Sequence, residues 1–423
     1  MGVERPGSLG GRGARGRRRI GRRLPLALLL AGLAAAWAAG FYVLWQSDVP
    51  SGLELPEVEG SELLGAEELE EARSYERFLR VDFVLAELTV LVVFGLYARY
   101  GHRFVRESAA GRIGTGMLLA MLGFALLWLA QLPFGLAGLW WERRHDVSEQ
   151  DYGTWILESW LGLGGVFLFV CLAILIVMGL AGPLPRHWWI PGGAVFVGLV
   201  ALFAFVLPYM LPSQRPLRDR ELLAATETFA REQGLEKAPP VHVQEVKEFT
   251  TAPNALAVGV GPSRRVILWD TLLEGPFPDD EVRFVVAHEL GHISREHMWK
   301  LVGWYALFAF PGAFLIAFAT RRRGGMREAE AVPLALFVLV GLSFLALPLQ
   351  NTFGRHLEAE ADWIALETTR EPEAARALFR RFGTTALADP SPPTWSYVLM
   401  ETHPPLADRT AMVEAWEARR GGG

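Results

Sequence analysis

The chain has one cysteine, Cys171, so it forms no intrachain disulfide and its redox compartment stays open. Lysine is nearly as scarce, with only Lys237, Lys247 and Lys300 in 423 residues. The formal net charge is −5, so the general basic excess of a nucleic-acid binder is missing and no nucleic-acid partner is expected. What basic charge there is lies in clusters, with arginines crowding the first 23 residues. That preference for arginine over lysine suits a GC-rich genome, and a bacterial cell membrane is the expected setting.

Apolar residues are abundant at 51%, and mean hydropathy is positive, too greasy for a soluble protein of this size. Crossing a bilayer takes about 20 apolar residues. Seven stretches approach that length: 24–45, 81–98, 116–139, 160–182, 188–211, 299–320 and 331–349. Tryptophans mark many of their ends (Trp45, Trp140, Trp141, Trp188, Trp189, Trp299), as interfacial anchors do. The second stretch carries Asp82 and Glu87, which must face protein or trapped water, or snorkel from a helix end. The first reads as an uncleaved helix, because its apolar run exceeds that of a signal peptide. The fold class expected is therefore a predominantly α, polytopic membrane protein with about seven transmembrane helices.

The divisions follow from this pattern. A basic tail (1–23) precedes a five-helix membrane region (24–212), and a polar segment (213–298) precedes two more spans (299–349). A second polar segment closes the chain (350–423). Alternation places the tail, the 99–113 loop and the Arg321–Arg322–Arg323–Arg327 loop on one side, and the acidic 46–79 loop on the other. Cytoplasmic loops carry the arginine excess, so both polar segments are expected outside the cytoplasm. The first polar segment should open with a helix over 219–233 closed by Gly234. Strands over 241–247, 255–261 and 264–269 follow, and then a helix started by Asp279, Asp280 and Glu281.

That last helix carries His288-Glu289-Leu290-Gly291-His292. Four residues advance a helix by just over one turn, so both imidazoles leave one face and can share one metal ion. Glu289 is offset, missing the metal but reaching a water on it. A catalytic zinc site takes three protein ligands and keeps one position open. His297 lies nine residues past His288, on the opposite face of a continued helix, and is expected to be solvated or interfacial. The metzincin positions hold Arg295 and Met298 instead of Gly and His. Downstream, Arg355, Glu358 and Asp362 share one helical face while Glu360 points away. Glu358 is thus the expected third ligand, making a gluzincin-type site for one zinc per chain. Asp362 would orient a ligating histidine from behind, with Arg355 on the same face.

With H-E-x-x-H before one apolar span and R-x-x-E-x-x-A-D (355–362) after the next, the chain resembles a family of integral membrane zinc metalloproteases. These are the type I CAAX prenyl endopeptidases and their heat-shock membrane protease relatives. Pro253-Asn254-Ala255, the Arg264–Leu273 run and Thr402-His403-Pro404-Pro405 with Arg409 add to the resemblance, which covers about 220–415. It implies a small β-ribbon whose Asn254–Ala255 strand pairs with an extended substrate. It also implies that His403 steadies the oxyanion or caps the metal, with Arg409 in support. Helices would enclose a water-filled chamber, with Asp82, Glu87, Gln131 and Glu158 as candidate lining residues. The implied activity is endopeptidase cleavage of peptides or membrane proteins. Two alternatives stand beside it: a CAAX prenyl endopeptidase proper, and a non-enzymatic polytopic protein whose zinc is structural, closed by His403.

Overall fold

Asp219 stands where the expected first helix of the polar segment begins, and its carboxylate accepts hydrogen bonds from the backbone N–H of Glu221 and Leu222. In the computed structural model, which describes residues 28, 31–107 and 110–421, the same signal recurs at Asp151, whose carboxylate accepts from the backbone N–H of Thr154. The basic tail 1–23 and the start of the first expected span lie outside the described residues.

Among its described residues the unit Met1–Gln46 shows an apolar helix, α1 (Ala31–Leu44). The unit Ser47–Gly423 contains everything else. Its helices in chain order are α2 (Gly60–Leu63), α3 (Ala66–Tyr100), α4 (Gly111–Arg144), α5 (Tyr152–Ala181) and α6 (Trp189–Met210). Next come strand β1 (Gln214–Pro216), α7 (Arg220–Glu232), β2 (Val241–Gln244), β3 (Ala255–Val258), β4 (Arg265–Trp269) and α8 (Asp270–Leu273). The chain continues with α9 (Asp279–Ser294), α10 (His297–Thr320), α11 (Val332–Thr369), α12 (Pro372–Thr385), α13 (Thr394–Leu399) and α14 (Leu406–Gly421).

Six of these helices, α3 to α6, α10 and α11, are long and apolar enough to cross a membrane. They also exceed their apolar stretches. Helix α3 begins fifteen residues before position 81, and α11 runs without interruption from the last span through Glu358 and Asp362. Backbone hydrogen bonds propagate wherever i→i−4 partners continue, so a helix need not stop where hydrophobicity does. Inside this bundle Phe94, Leu119, Ile174, Met178 and Leu336 share one core, and the Tyr97 hydroxyl donates to the Leu119 carbonyl (2.5 Å).

A second core fills the polar part. Val241 and Val243 of β2, Val266 and Leu268 of β4, and Phe284, Val286 and Leu290 of α9 meet Leu366, Phe379 and Val413. The sheet order is β1-β2-β4-β3, with β2 and β4 parallel and the other pairs antiparallel. The sheet is a strand larger than the sequence suggests, since β1 has no apolar alternation to mark it. Strand β3 lies at the sheet edge. Ion pairs to buried carboxylates tie the elements together: Arg381 grips Glu281 of α9 with two hydrogen bonds of 2.8 and 2.9 Å, and Arg80 of α3 reaches Asp389 at 2.9 Å.

Candidate metal centre and active site

Helices α9 and α11 pack closely because Gly291 has no side chain: a Cβ there would meet Ala361 Cα at 3.3 Å and its carbonyl oxygen at 3.4 Å. The contact brings the face of α11 that carries Glu358 onto the face of α9 that carries both histidines. The Nε2 atoms of His288 and His292 stand 3.0 Å apart. Glu358 Oε2 is 3.2 Å from His288 Nε2, and Glu358 Oε1 is 3.4 Å from His292 Nε2. Ligands tetrahedrally disposed at about 2.0–2.2 Å from a zinc ion would lie roughly 3.3–3.6 Å from one another. The spacing suits one small ion. Glu358 Oε2 adds a second sign of fit, being buried without a well-formed hydrogen bond among the described residues.

Electrostatics agree with geometry. Burial disfavours the charged form of His288, but the hydrogen bond to Asp362 and the nearby Glu358 carboxylate outweigh it and raise its pKa to about 10. The site is organised to hold positive charge. Burial pushes the Glu289 carboxyl above the usual range, partly offset by His288, His292 and the N–H of Ala257. That N–H belongs to β3, so the Glu289 carboxyl is held against the edge strand.

Behind His288 a chain of polar contacts leads away from the centre. His288 Nδ1 donates to Asp362 Oδ1 at 2.9 Å, and Arg409 donates to both Asp362 oxygens, Nε at 2.8 Å and Nη2 at 2.7 Å. Arg409 therefore supports Asp362, whereas the resemblance had it support His403. Its place on α14 puts it beneath α11, where a buried bidentate pair forms. Arg355 turns toward the C-terminal segment, donating to the carbonyls of Tyr397 (2.8 Å) and Glu401 (2.6 Å). It thus clamps the stretch that leads to His403. The exposed His403 imidazole approaches Glu358 Oε2 at 3.3 Å, with Thr402 Oγ1 at 3.1 Å from its other nitrogen.

Asn254 is exposed just before β3, and its side-chain oxygen accepts from Ala255 N–H at 2.8 Å. Of the candidate chamber residues, Gln131 donates to the Ala86 carbonyl (2.9 Å) and Glu158 accepts from Gln150 (2.8 Å). Asp82 and Glu87 are half-buried.

His297 differs from the sequence expectation. It is 2% exposed, neither solvated nor interfacial, and its Nδ1 lies 2.8 Å from His292 Nδ1. The reason is a break in the helix: α9 stops at Ser294 and Glu296 takes a left-handed conformation (φ 53°, ψ 37°) before α10 starts. Helical periodicity ends there, so counting nine residues from His288 misplaces His297. Glu360 does point away from the metal centre, but into protein. Its Oε2 meets His297 Nε2 (3.0 Å) and Lys300 Nζ (2.7 Å), and its Oε1 accepts from the backbone of Asp48 (2.8 Å). Lys300 and Asp48 carried no recognisable signal in the sequence.

The chain matches the model of peptidase family M48 over residues 216–417. It is 25% identical over 414 residues to the uncharacterized metalloprotease YhfN of Bacillus subtilis, covering 93% of this chain and 96% of that protein. A CAAX prenyl protease 1 homolog of Oryza sativa is 23% identical over 71% of this chain and 74% of its own length. A protease HtpX homolog of Aeropyrum pernix is 30% identical over 54% of this chain and 67% of its own length. The crystal structure of S. mikatae Ste24p has the same fold, with a TM-score of 0.73 at 18% identity over 91% of this chain and 97% of that one. With six membrane-length helices among its described residues, this chain belongs to peptidase family M48 as a multi-pass membrane metalloprotease.

Proposed function

We propose that the chain holds one zinc ion through His288 Nε2, His292 Nε2 and the Glu358 carboxylate, and hydrolyses peptide bonds with Glu289 as its proton carrier. The observation that carries this reading is the mutual spacing of those three groups, 3.0–3.4 Å, with Asp362 fixing His288 from behind. Zinc in such a site acts as a Lewis acid and lowers the pKa of a water to about 7. Glu289, its pKa raised by burial, accepts the proton of the attacking water and delivers it to the leaving amide nitrogen. His403, whose Nε2 lies 3.3 Å from Glu358 Oε2, donates to the developing oxyanion.

Strand β3 offers an edge for an extended peptide, with Asn254 and Ala255 at its start and Glu289 held by Ala257. The substrates proposed are peptides or membrane proteins; prenylated substrates are named only for relatives. A purely structural zinc would need a fourth protein ligand. The three-residue group of possible ligands excludes His403, which favours an open site.

The 3-10 turns Gly101–Glu107 and Ala329–Ala331 pack together at one end, beside the arginines of 321–327. At the other end the 145–151 loop hydrogen-bonds residues 249–251 of the peptidase region. With arginine-rich loops in the cytoplasm, the catalytic region lies outside it. A reporter fused to the C-terminus should be active only on the extracytoplasmic side, and cytoplasmic activity would reverse the orientation. The decisive assay uses purified, zinc-loaded Glu289→Gln. It should keep one zinc per chain and lose cleavage by about 10²–10⁴-fold. Undiminished proteolysis would remove Glu289 from its role.

A further inference from the structure

We propose that His297 is a positioning residue for the metal centre, one that fixes the tautomer and orientation of His292 through a buried chain ending on Glu360 and Lys300. This rests on the three-ligand metal reading above. His288 and His292 both turn Nε2 toward the centre, so each leaves Nδ1 facing outward. His288 finds a carboxylate there, whereas His292 finds another imidazole at 2.8 Å.

Two imidazole nitrogens at that distance bond only if one carries the hydrogen and the other a lone pair. Glu360 decides which. Its Oε2, 3.0 Å from His297 Nε2, demands a donor, so His297 carries its hydrogen on Nε2 and leaves Nδ1 as an acceptor. His292 must then donate from Nδ1, which leaves its Nε2 lone pair bare toward the metal. The carboxylate at the end of the chain thus sets the His292 lone pair through two hydrogen bonds.

Glu360 is itself held in place. Lys300 Nζ (2.7 Å) and the Asp48 backbone N–H (2.8 Å) complete its contacts, and Asp48 pairs with Arg295 (2.6 Å) in the break between α9 and α10. The left-handed Glu296 is what swings His297 back under His292. The two ligating histidines are therefore backed asymmetrically. One leans on an Asp–Arg pair from α11 and α14, and the other on a His–Glu–Lys chain from α10 and α11.

Side-chain geometry supplies a discriminating test. An asparagine amide superposes on the Nδ1 edge of histidine, whereas a glutamine amide superposes on the Nε2 edge. In the full-length protein in detergent, zinc affinity is measured by competition with a chromophoric chelator. His297→Ala and His297→Gln should bind zinc about 10–100-fold more weakly, the range for partners standing behind a metal ligand. His297→Asn, which restores an acceptor for His292 Nδ1, should bind within about threefold of the unaltered protein. Unaltered affinity in His297→Ala, or affinity in His297→Asn as weak as in His297→Ala, would overturn the proposal. His288→Ala separates this from the metal reading: if it keeps full zinc affinity the three-ligand site itself fails, and if it alone loses zinc only the His297 chain fails.

Discussion

Helix α11 leaves Leu339, Leu345 and Leu349 largely uncovered in its first half, with Leu345 at 72% exposure, whereas its second half buries Arg355, Glu360 and Asp362. One hydrogen-bonded helix serves both halves, but they meet different surroundings. Exposed leucines in a membrane-length helix are matched to lipid, and any apolar residue serves there. Each buried polar group of the second half must instead find partners, because an unpaired charge in protein is costly. Asp362 has His288 and Arg409, Glu360 has His297 and Lys300, and Arg355 has two backbone carbonyls. Substitution should be tolerated in the first half and specific in the second.

The sharpest break in that contrast is Glu358→Ala, which should abolish both zinc binding and cleavage. Metal analysis of the purified variant checks it, and one retained zinc per chain would exclude Glu358 as a ligand. Next comes Asp362→Asn. Removing the anion between His288 and Arg409 leaves a buried guanidinium unpaired, so thermal unfolding in detergent should show a loss of about 3–5 kcal/mol. Zinc affinity should fall about 10–100-fold as well. Gly291→Ala tests the closeness of α9 and α11 directly. Its Cβ would press on the backbone of Ala361, which has little room to give, so destabilisation of about 1–3 kcal/mol is expected. An unchanged melting temperature would mean the helices can separate freely. Leu345→Ala, in the exposed half, should change stability by no more than about 0.5 kcal/mol. A loss comparable to that of Asp362→Asn would erase the contrast between the halves.

Much of the centre was legible because it depends on spacing within a single helix. His288 and His292 are one turn apart, and Arg355, Glu358 and Asp362 recur at three and four, so periodicity alone puts each set on one face. Six of the seven expected spans were legible from length and hydropathy, the first lying partly outside the described residues, although helix ends were not. Asp219 and Gly234 bounded α7 because a cap and a positive φ (84°) have residue preferences that can be read locally. His297 was misread because that reasoning assumes an unbroken helix, and nothing in Arg295-Glu296 announces a left-handed turn. The partner of Arg409 was equally hidden, since 47 residues separate it from Asp362.

From the order of residues alone come the membrane-length helices, the pair of imidazoles on one turn and the carboxylate able to join them. These are local properties, set by side-chain polarity and helical repeat. Which carboxylate stands behind which histidine was decided only when α9, α10, α11 and α14 packed. Contacts between distant segments depend on how closely backbones approach and where a helix breaks, and no local pattern records either.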